Sequence, residues 1–249
     1  MKYGFIRKIL GSELALRLFE VIDRRSENRV TEFGVLAQAF EFCKINQIQG
    51  DYFEFGVWRG KTFSYARTLA RRYGYGPLTY HAFDSFQGLP NVNRSDLEIW
   101  HEGQFTCSKG EFQRILEKKG FGRDEYEIVE GFYNDSLNDQ LVARLNTKGT
   151  KASVVYIDCD LYESTVDVLN FLPNFLQDGT ILCFDDFFNY RGRKDMGEQK
   201  AFSEFRENHP ELSFTEFFAY SPLGMSFICN IYQPAGLLAE QTRGEGTPK

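Results

Sequence analysis

Residues 212–232 read LSFTEFFAYSPLGMSFICNIY, and this stretch decides the fold. Two runs rich in aromatic and β-branched residues, 212–220 and 224–232, flank the tripeptide Ser221-Pro222-Leu223. Three residues leave no room for a helix between the runs, so the runs are predicted to pair as an antiparallel hairpin. The sheet of this protein is therefore expected to end in two antiparallel strands.

The segments upstream of the hairpin alternate between short apolar runs and amphipathic stretches. The apolar runs predict five strands: DYFEFGV from residue 51, LTYHAFD from 78, YEIVEG from 126, ASVVYID from 152 and GTILCFDD from 179. The stretches SYARTLARR, LNDQLVARL, STVDVLNFLPNFL and KAFSEFREN between and after them predict helices. This alternation indicates an α/β fold with a parallel sheet and helices on both faces. A seven-stranded, mostly parallel sheet ending in an antiparallel hairpin is the Rossmann-like arrangement of class I methyltransferases, whereas a standard dinucleotide-binding domain continues with a parallel sixth strand.

Two helices are predicted before the first strand. Ser12 is suited to cap the helix ELALRLFEVIDRR, and a second helix is expected from about Phe33 to Ile45. We therefore expect a helical cap over residues 1–50, a methyltransferase domain over residues 51–232 and a flexible tail over residues 233–249. The apolar positions of the two helices suggest either contacts in a homo-oligomer or packing on their own sheet.

Composition excludes several functional classes. A net charge of -6 argues against a nucleic-acid partner, because phosphate neutralisation needs a basic face. No apolar run approaches the roughly 18 residues that cross a bilayer, and the start MKYGFIRKIL lacks the apolar region of a secretory signal. The five cysteines are scattered without any CxxC pair, which favours free thiols in a reducing cytoplasm.

The loop after the first strand reads EFGVWRGKT from Glu54 to Thr62. A P-loop needs four residues between its first Gly and Gly-Lys-Thr, but only three separate Gly56 from Gly60. The dinucleotide fingerprint also fails, because Trp58 replaces its second Gly. An acidic residue followed by GxxxG before a helix remains, and this is compatible with S-adenosylmethionine. Glu54 can either reach the polar amino-acid end of that ligand or order the loop beneath it.

Asp84 ends the second predicted strand, 28 residues after Gly56. An acidic side chain at this place can accept hydrogen bonds from both hydroxyls of a ribose. The alternative is that Asp84 caps the turn before residues 85–90. The glycine loop upstream favours the ribose interpretation.

Carboxylates follow two further strands. Asp158-Cys159-Asp160 comes after VVYI, and Asp185-Asp186 comes after TILCF. The carboxyl ends of adjacent parallel strands face one crevice, where these charges repel one another unless a cation or protons intervene. Oxygen ligands of this kind suit Mg²⁺. Capping of the following helices accounts for Asp160 or Asp186 but not for all four groups.

Five segments together resemble the macrocin O-methyltransferase (TylF-like) family: EFGVWRGKT, FDSFQGLP, YIDCDLYEST, CFDDF and YSPLGMSFI. Members are class I enzymes that use S-adenosylmethionine and a divalent metal to methylate hydroxyls of sugars on natural products or nucleotide sugars. The resemblance implies a sugar-containing small-molecule acceptor. It also implies the following roles: Glu54, Gly56 and Gly60 around the methionine part of the cofactor, Asp84 on its ribose, Gly131 and Phe132 at its adenine, and Asp158, Asp185 and Asp186 on the metal. Cys159 and Phe187 depart from the Gly and Tyr expected there.

The reaction requires a base that takes the proton of the acceptor hydroxyl while a metal lowers the pKa of that hydroxyl. Asp158 is the predicted general base, with His101 as the second candidate. His101 lies in the long segment that contains Trp100 and Phe105, which is long enough to form a lid over the acceptor. Arg59 and Lys61 near the glycine loop either attract an anionic acceptor or are simply solvated.

Two other functions stay open from sequence alone. Asp158-Cys159-Asp160 also fits the DxD motif of a metal-dependent glycosyltransferase, although that class does not need the upstream GxxxG and Asp84. A non-catalytic nucleotide-binding assembly protein is the third possibility. The cost of burying unpaired carboxylates without a task argues against it.

Overall fold

Seven strands form one mixed sheet in the computed structural model, which describes residues 31–91 and 99–231. The strands are β1 Asp51–Phe55, β2 Tyr80–Asp84, β3 Tyr126–Glu130, β4 Ala152–Ile157, β5 Thr180–Phe184, β6 Leu212–Tyr220 and β7 Gly224–Ile231. Their order across the sheet is β3-β2-β1-β4-β5-β7-β6. The first five are parallel, and β7 pairs antiparallel with both β5 and β6. The predicted fold class, including the terminal hairpin, is confirmed.

Helices connect the parallel strands. They are α1 Glu32–Ile45, α2 Lys61–Tyr73, α3 Lys109–Lys118, α4 Tyr133–Ser136, α5 Asp139–Thr147, α6 Tyr162–Phe171, α7 Asn189–Gly192 and α8 Gly197–Asn208. A 3₁₀ turn, Leu172–Asn174, extends α6. The helices predicted within the described residues are therefore all present.

The sheet is buried on both faces, as the continuous apolar runs of β4 and β5 require. On one face, Tyr52 and Tyr156 pack under α1 and α2. On the other, Phe53, Phe55 and Ile157 pack under α5, α6 and α8. Alternate residues of each strand thus supply two separate cores, and the strand ends stay available for loops.

The hairpin turn is held by a serine. Ser221 has φ +52°, and its Oγ accepts hydrogen bonds from the backbone N–H groups of Leu223 and Gly224. The tripeptide 221–223 therefore closes β6 onto β7 without any helix.

The helix expected near Phe33–Ile45 is α1, which begins one residue earlier after the cap Thr31. It packs on α2 through Phe33 and Tyr65, whose ring centroids lie 4.3 Å apart. The helix expected after Ser12 and the tail at 233–249 lie outside the described residues, and the domain boundaries stay predictions.

Within residues 31–91 and 99–231, no helix is both long and apolar enough to cross a membrane. The five cysteines are all buried and unpaired with one another.

Candidate active site at the carboxyl ends of the strands

A cavity of about 610 Å³ opens at the carboxyl ends of the parallel strands. Loops that follow β1 to β5 form its wall, together with part of the segment between β2 and α3. Seven of the residues predicted for the site line it: Gly56, Asp84, Gly131, Phe132, Asp158, Asp185 and Asp186. Its volume lies in the range of about 300–1,000 Å³ that is usual for small-molecule sites.

The two glycines of the loop between β1 and α2 have different roles. Gly56 has φ +84°, and a Cβ atom there would overlap the backbone carbonyl oxygen of Asp158. Only glycine lets the loop pass this close to the end of β4. Gly60 has φ +64°, and its Cβ would lie 2.8 Å from Cε2 of Phe112. Gly56 therefore shapes the cavity, whereas Gly60 makes room for α3 and does not line the cavity.

Glu54 lies beneath this loop. Its side chain is buried, and the phenol of Tyr52 donates a 2.5 Å hydrogen bond to Oε2. Burial raises the pKa of Glu54 well above its ordinary value, while hydrogen bonds from Tyr52 and from the backbone N–H of Phe63 oppose the rise. Glu54 does not line the cavity. Its position fits the ordering of the loop and the first turn of α2, one of the two roles expected from sequence.

Asp84 joins two loops at the end of β2. Its Oδ2 accepts hydrogen bonds from the backbone N–H groups of Val57 (2.8 Å) and Trp58 (3.1 Å), and its Oδ1 accepts one from Phe86 (2.7 Å). Burial raises the pKa of Asp84, and these three bonds oppose the rise. A carboxylate has about four lone-pair sites, so Asp84 keeps acceptor capacity toward the cavity that it lines.

Gly131 and Phe132 follow β3 and lie on the same wall. Gly131 has φ +135°, and its backbone N–H donates a 3.0 Å hydrogen bond to the carbonyl of Asp84. The ends of β2 and β3 are thereby tied together beside Phe132.

The carboxylates after β4 and β5 converge in the cavity. Asp158, Asp160 and Asp186 each offer an oxygen, and these three atoms lie within 4.8 Å of one another. Asp185 lines the same cavity, but Tyr156 holds it through a hydrogen bond of 2.5 Å to Oδ1. Of the three metal ligands implied by the family resemblance, two are thus in the tightest group, and Asp160 is its third member.

The carboxylates also raise each other's pKa. Burial raises the pKa of Asp158 well above its ordinary value, and the charges of Asp185, Asp160 and Asp186 raise it further. Burial and then Asp185 raise the pKa of Asp186 to about 6. The cluster is therefore unfavourable when fully ionised and without a cation.

Glu198 adds a further acidic group behind the cluster. It is 1% exposed, and its Oε2 accepts a 3.1 Å hydrogen bond from the backbone N–H of Asp186. Its Oε1 has no hydrogen-bond partner among residues 31–91 and 99–231. A buried carboxylate oxygen without a hydrogen-bond partner, near three converging carboxylates, fits a hard divalent cation such as Mg²⁺.

His101 lies away from these groups. Its side chain is exposed and does not line the cavity, and its backbone N–H donates a 3.3 Å hydrogen bond to Oε1 of Gln104. Its neighbours Trp100, Gln104 and Phe105 do line the cavity. The described part of the segment thus contributes to the wall through residues other than the histidine, and its role as a lid stays a prediction.

Sequence reasoning did not select several residues of the wall, among them Trp58, Glu163 and Asp167. Glu163 and Asp167 are four residues apart on α6, and that spacing put them on one helix face directly after the acidic motif. No sequence signal distinguished Trp58 from a solvated loop residue.

Comparison with known proteins identifies a family whose sequence model matches this chain. The model of the macrocin-O-methyltransferase (TylF) family matches residues 27–212, which is most of the chain. Among solved structures, that of the O-methyltransferase NovP superposes on this protein with a TM-score of 0.65. The two chains are 23% identical, and the match covers 79% of this chain and 78% of that chain. This likeness supports the fold.

Curated relatives match part of the chain. One is the 8-demethyl-8-(2,3-dimethoxy-alpha-L-rhamnosyl)-tetracenomycin-C 4'-O-methyltransferase of Streptomyces olivaceus, 30% identical over 162 residues that cover 59% of each protein. Another is the mycinamicin III 3''-O-methyltransferase of Micromonospora griseorubida, 28% identical over 171 residues, or 65% of this chain. The matched part spans 59% and 62% of the length of these two relatives.

Proposed function

The chain belongs to the macrocin-O-methyltransferase (TylF) family, and we propose that it transfers the methyl group of S-adenosylmethionine to a sugar hydroxyl with the help of a divalent metal. One observation carries this proposal. The glycine loop, Asp84 and the converging carboxylates, which come from four strand ends, all reach the same cavity. Both relatives described above are named as O-methyltransferases, and the name of the first contains a rhamnosyl group, which supports a sugar-containing acceptor.

Three groups of residues would hold S-adenosylmethionine. Gly56 lets the loop pass close to β4 and would line the space for the methionine part, with Glu54 and Gly60 keeping the loop in shape beneath it. Asp84 would accept from the ribose hydroxyls with the lone pairs that its three backbone bonds leave over. Gly131 and Phe132 would flank the adenine.

Asp158, Asp185 and Asp186 would hold Mg²⁺ or another divalent cation, and Asp160 is close enough to take part. When bound, the cation supplies Lewis-acid stabilisation of negative charge on the acceptor oxygen and removes the repulsion among the carboxylates. The residues themselves would orient the acceptor, because their side chains follow the ends of two neighbouring strands.

Asp158 is the proposed general base. Its side chain lines the cavity within the acidic cluster, where it would be within reach of the proton of an acceptor hydroxyl. Asp160 lies in the same cluster and is the second group able to take the proton. His101 would have to enter the cavity from its exposed position to do so.

Methyl transfer to a panel of glycosides tests the proposal. The protein is incubated with isotopically labelled S-adenosylmethionine and either Mg²⁺ or a chelator, and labelled products are identified by mass spectrometry. We expect label in a sugar hydroxyl only with Mg²⁺, and little or none with Asp186→Asn. The matched control Asp124→Asn, an exposed residue outside the cavity, is expected to behave as wild type. Label transfer that is equal with chelator and with Mg²⁺ would contradict the metal's role.

A further inference from the structure

Three aromatic side chains stand at the mouth of the cavity, and we call them the aromatic rim: Trp58, Trp100 and Phe105. Trp58 belongs to the loop after β1, and the other two belong to the segment between β2 and α3. The ring of Phe105 contacts Trp58 edge-on at 5.7 Å between centroids and Trp100 at 6.0 Å. All three line the cavity.

Two of these rings are exposed although they are large and apolar. Trp58 is 44% exposed and Phe105 is 40% exposed, whereas Trp100 is 9% exposed. The indole N–H of Trp100 has no acceptor among the described residues. The rim therefore offers apolar ring faces and a hydrogen-bond donor without a partner.

The exposed rings also sit on strained backbone. Trp58 has φ +40° and Phe105 has φ +63°, in the left-handed region that bulky residues avoid. Asp84 holds Trp58 there by accepting from its backbone N–H at 3.1 Å. The hydroxyl of Thr106 holds the other loop by donating to the carbonyl of Gln87 at 3.0 Å. Strain of this kind, maintained by hydrogen bonds rather than by burial of the ring, clusters at ligand-binding positions.

The negative charge of the cavity restricts which acceptors can bind next to the rim. Seven carboxyl groups line it, the five described above together with Glu163 and Asp167. Its described lining contains no Lys or Arg. Arg59 is the cation next to the rim: its guanidinium lies 5.5 Å from the centre of the Trp58 ring and 3.9 Å from the carboxylate of Glu111, against seven carboxyl groups in the lining. An acceptor with two phosphate groups would meet a surplus of negative charge even with a divalent cation and the cofactor's positive sulfur bound.

We propose that Trp58 and Phe105 are specificity-determining residues that contact the acceptor beside the methylated sugar. Together with the negative cavity they select a glycoside without phosphate, attached to an apolar ring system, over a nucleotide sugar. This inference rests on the proposed function of the cavity. The rings supply contact area with few rotatable bonds, so they bind an apolar group at small entropic cost.

Two probes with the same sugar test this: 4-methylphenyl α-L-rhamnoside and dTDP-L-rhamnose. Affinities are measured by calorimetry on the full chain with Mg²⁺ and S-adenosylhomocysteine present. The two tryptophans of the chain, Trp58 and Trp100, both line the cavity, so Trp100→Phe leaves Trp58 as the only indole fluorophore there. We expect the aryl glycoside to bind about tenfold more tightly than the nucleotide sugar and to change the emission of Trp58.

The variants give the decisive comparison. Trp58→Ala and Phe105→Ala are expected to weaken binding of the aryl glycoside by about fivefold or more, with Trp58→Phe intermediate. Their affinity for S-adenosylhomocysteine should stay within about twofold of wild type. Ile45→Ala removes another large exposed apolar side chain, at the end of α1 and outside the cavity, and should change neither affinity.

Two results would overturn the inference while leaving the proposed function intact. One is that dTDP-L-rhamnose binds as tightly as the aryl glycoside, or more tightly. The other is that Trp58→Ala and Phe105→Ala bind the aryl glycoside as wild type does. Failure of wild-type protein to bind S-adenosylhomocysteine would instead remove the proposed function, and this inference with it.

Discussion

The phenol of Tyr156 donates a hydrogen bond of 2.5 Å to Oδ1 of Asp185. Tyr156 is 1% exposed and lies on β4, where it pairs in register with Cys183 of β5. Its side chain thus reaches two residues along the neighbouring strand to the first carboxylate beyond the strand end. Burial raises the pKa of Asp185, and this hydrogen bond opposes the rise. The bond favours an ionised, oriented Asp185 with its second oxygen left over for a ligand.

Tyr156→Phe is therefore expected to weaken binding of Mn²⁺ or Mg²⁺ by about tenfold, as loss of a supporting hydrogen bond typically does at a metal site. Tyr220→Phe is the matched control. Its ring centroid lies 6.3 Å from that of Tyr156, and its buried hydroxyl has no hydrogen-bond partner among the described residues. Calorimetric titration of the metal measures both variants. Equal affinities for the two variants would show that Tyr156 does not support the metal site.

The acidic cluster makes the metal-free protein less stable as the pH rises. The pKa of Asp186 rises from 3.8 in the unfolded chain to about 6 in the folded protein. Between these values the unfolded chain binds fewer protons than the folded protein, so the free energy of unfolding falls as pH increases. The loss from this group amounts to about 3 kcal/mol by pH 7. Asp158 and Asp160, whose pKa values are also raised, extend the fall to higher pH.

Urea unfolding with a chelator, from about pH 4.5 to pH 7.5, measures this slope. Asp186→Asn should flatten it, and Mg²⁺ should stabilise the protein more at the upper end of the range than at the lower end. Stability that rises with pH over this window would contradict the raised pKa of the cluster.

Gly56→Ala is expected to destabilise the protein by about 3 kcal/mol or more and to abolish cofactor binding. The added Cβ overlaps the backbone carbonyl oxygen of Asp158, so β4 or the loop has to move. Gly74→Ala is the control, because Gly74 also has positive φ, at +60°, but nothing lies within 4 Å of its Cβ position. It should cost only the left-handed strain of about 1 kcal/mol. Similar losses for both would mean that backbone strain, and not the close approach, makes Gly56 necessary.

His101→Ala is expected to leave kcat within about twofold of wild type, because the imidazole is exposed outside the cavity. Asp158→Asn should lower kcat by about a thousandfold, since it removes the proposed base and a proposed metal ligand. Steady-state kinetics with saturating Mg²⁺ compare the two. A loss of more than about tenfold in the kcat of His101→Ala would contradict this expectation and support His101 as the general base.

The mostly parallel sheet with its terminal hairpin could be predicted from the alternation of segments and from residues 212–232, because period and turn length are local properties of the sequence. The placement of Asp84 and Gly56 at one crevice followed equally from the rule that parallel strands share their carboxyl ends. The sequence did not predict that Asp160, rather than Asp185, joins Asp158 and Asp186 in the tightest group of carboxylates. Asp160 has φ +61°, a local reversal after β4, and Tyr156 holds Asp185 from the neighbouring strand. Neither a single residue with positive φ nor a hydrogen bond between neighbouring strands produces a periodic pattern in the sequence.

The aromatic rim could not be predicted from the sequence either. Trp58 and Phe105 come from loops about 47 residues apart that are held by hydrogen bonds such as those of Trp58 to Asp84 and of Thr106 to Gln87, and loops of this kind carry no amphipathic pattern. Glu54 accepts a hydrogen bond from the phenol of Tyr52, two residues earlier on the same strand. The sequence alone could not show whether Glu54 makes this contact or contacts the ligand.

Calorimetric titration of S-adenosylhomocysteine into wild-type protein, Asp84→Ala and the exposed-site control Asp124→Ala tests the central claim most directly. The claim is that this cavity binds the nucleoside part of S-adenosylmethionine through Asp84. It predicts binding by wild type and Asp124→Ala, and a loss of at least about tenfold in Asp84→Ala, with folding checked by circular dichroism. Absence of binding by folded wild-type protein at about 1 mM ligand, or unchanged affinity in folded Asp84→Ala, would contradict it.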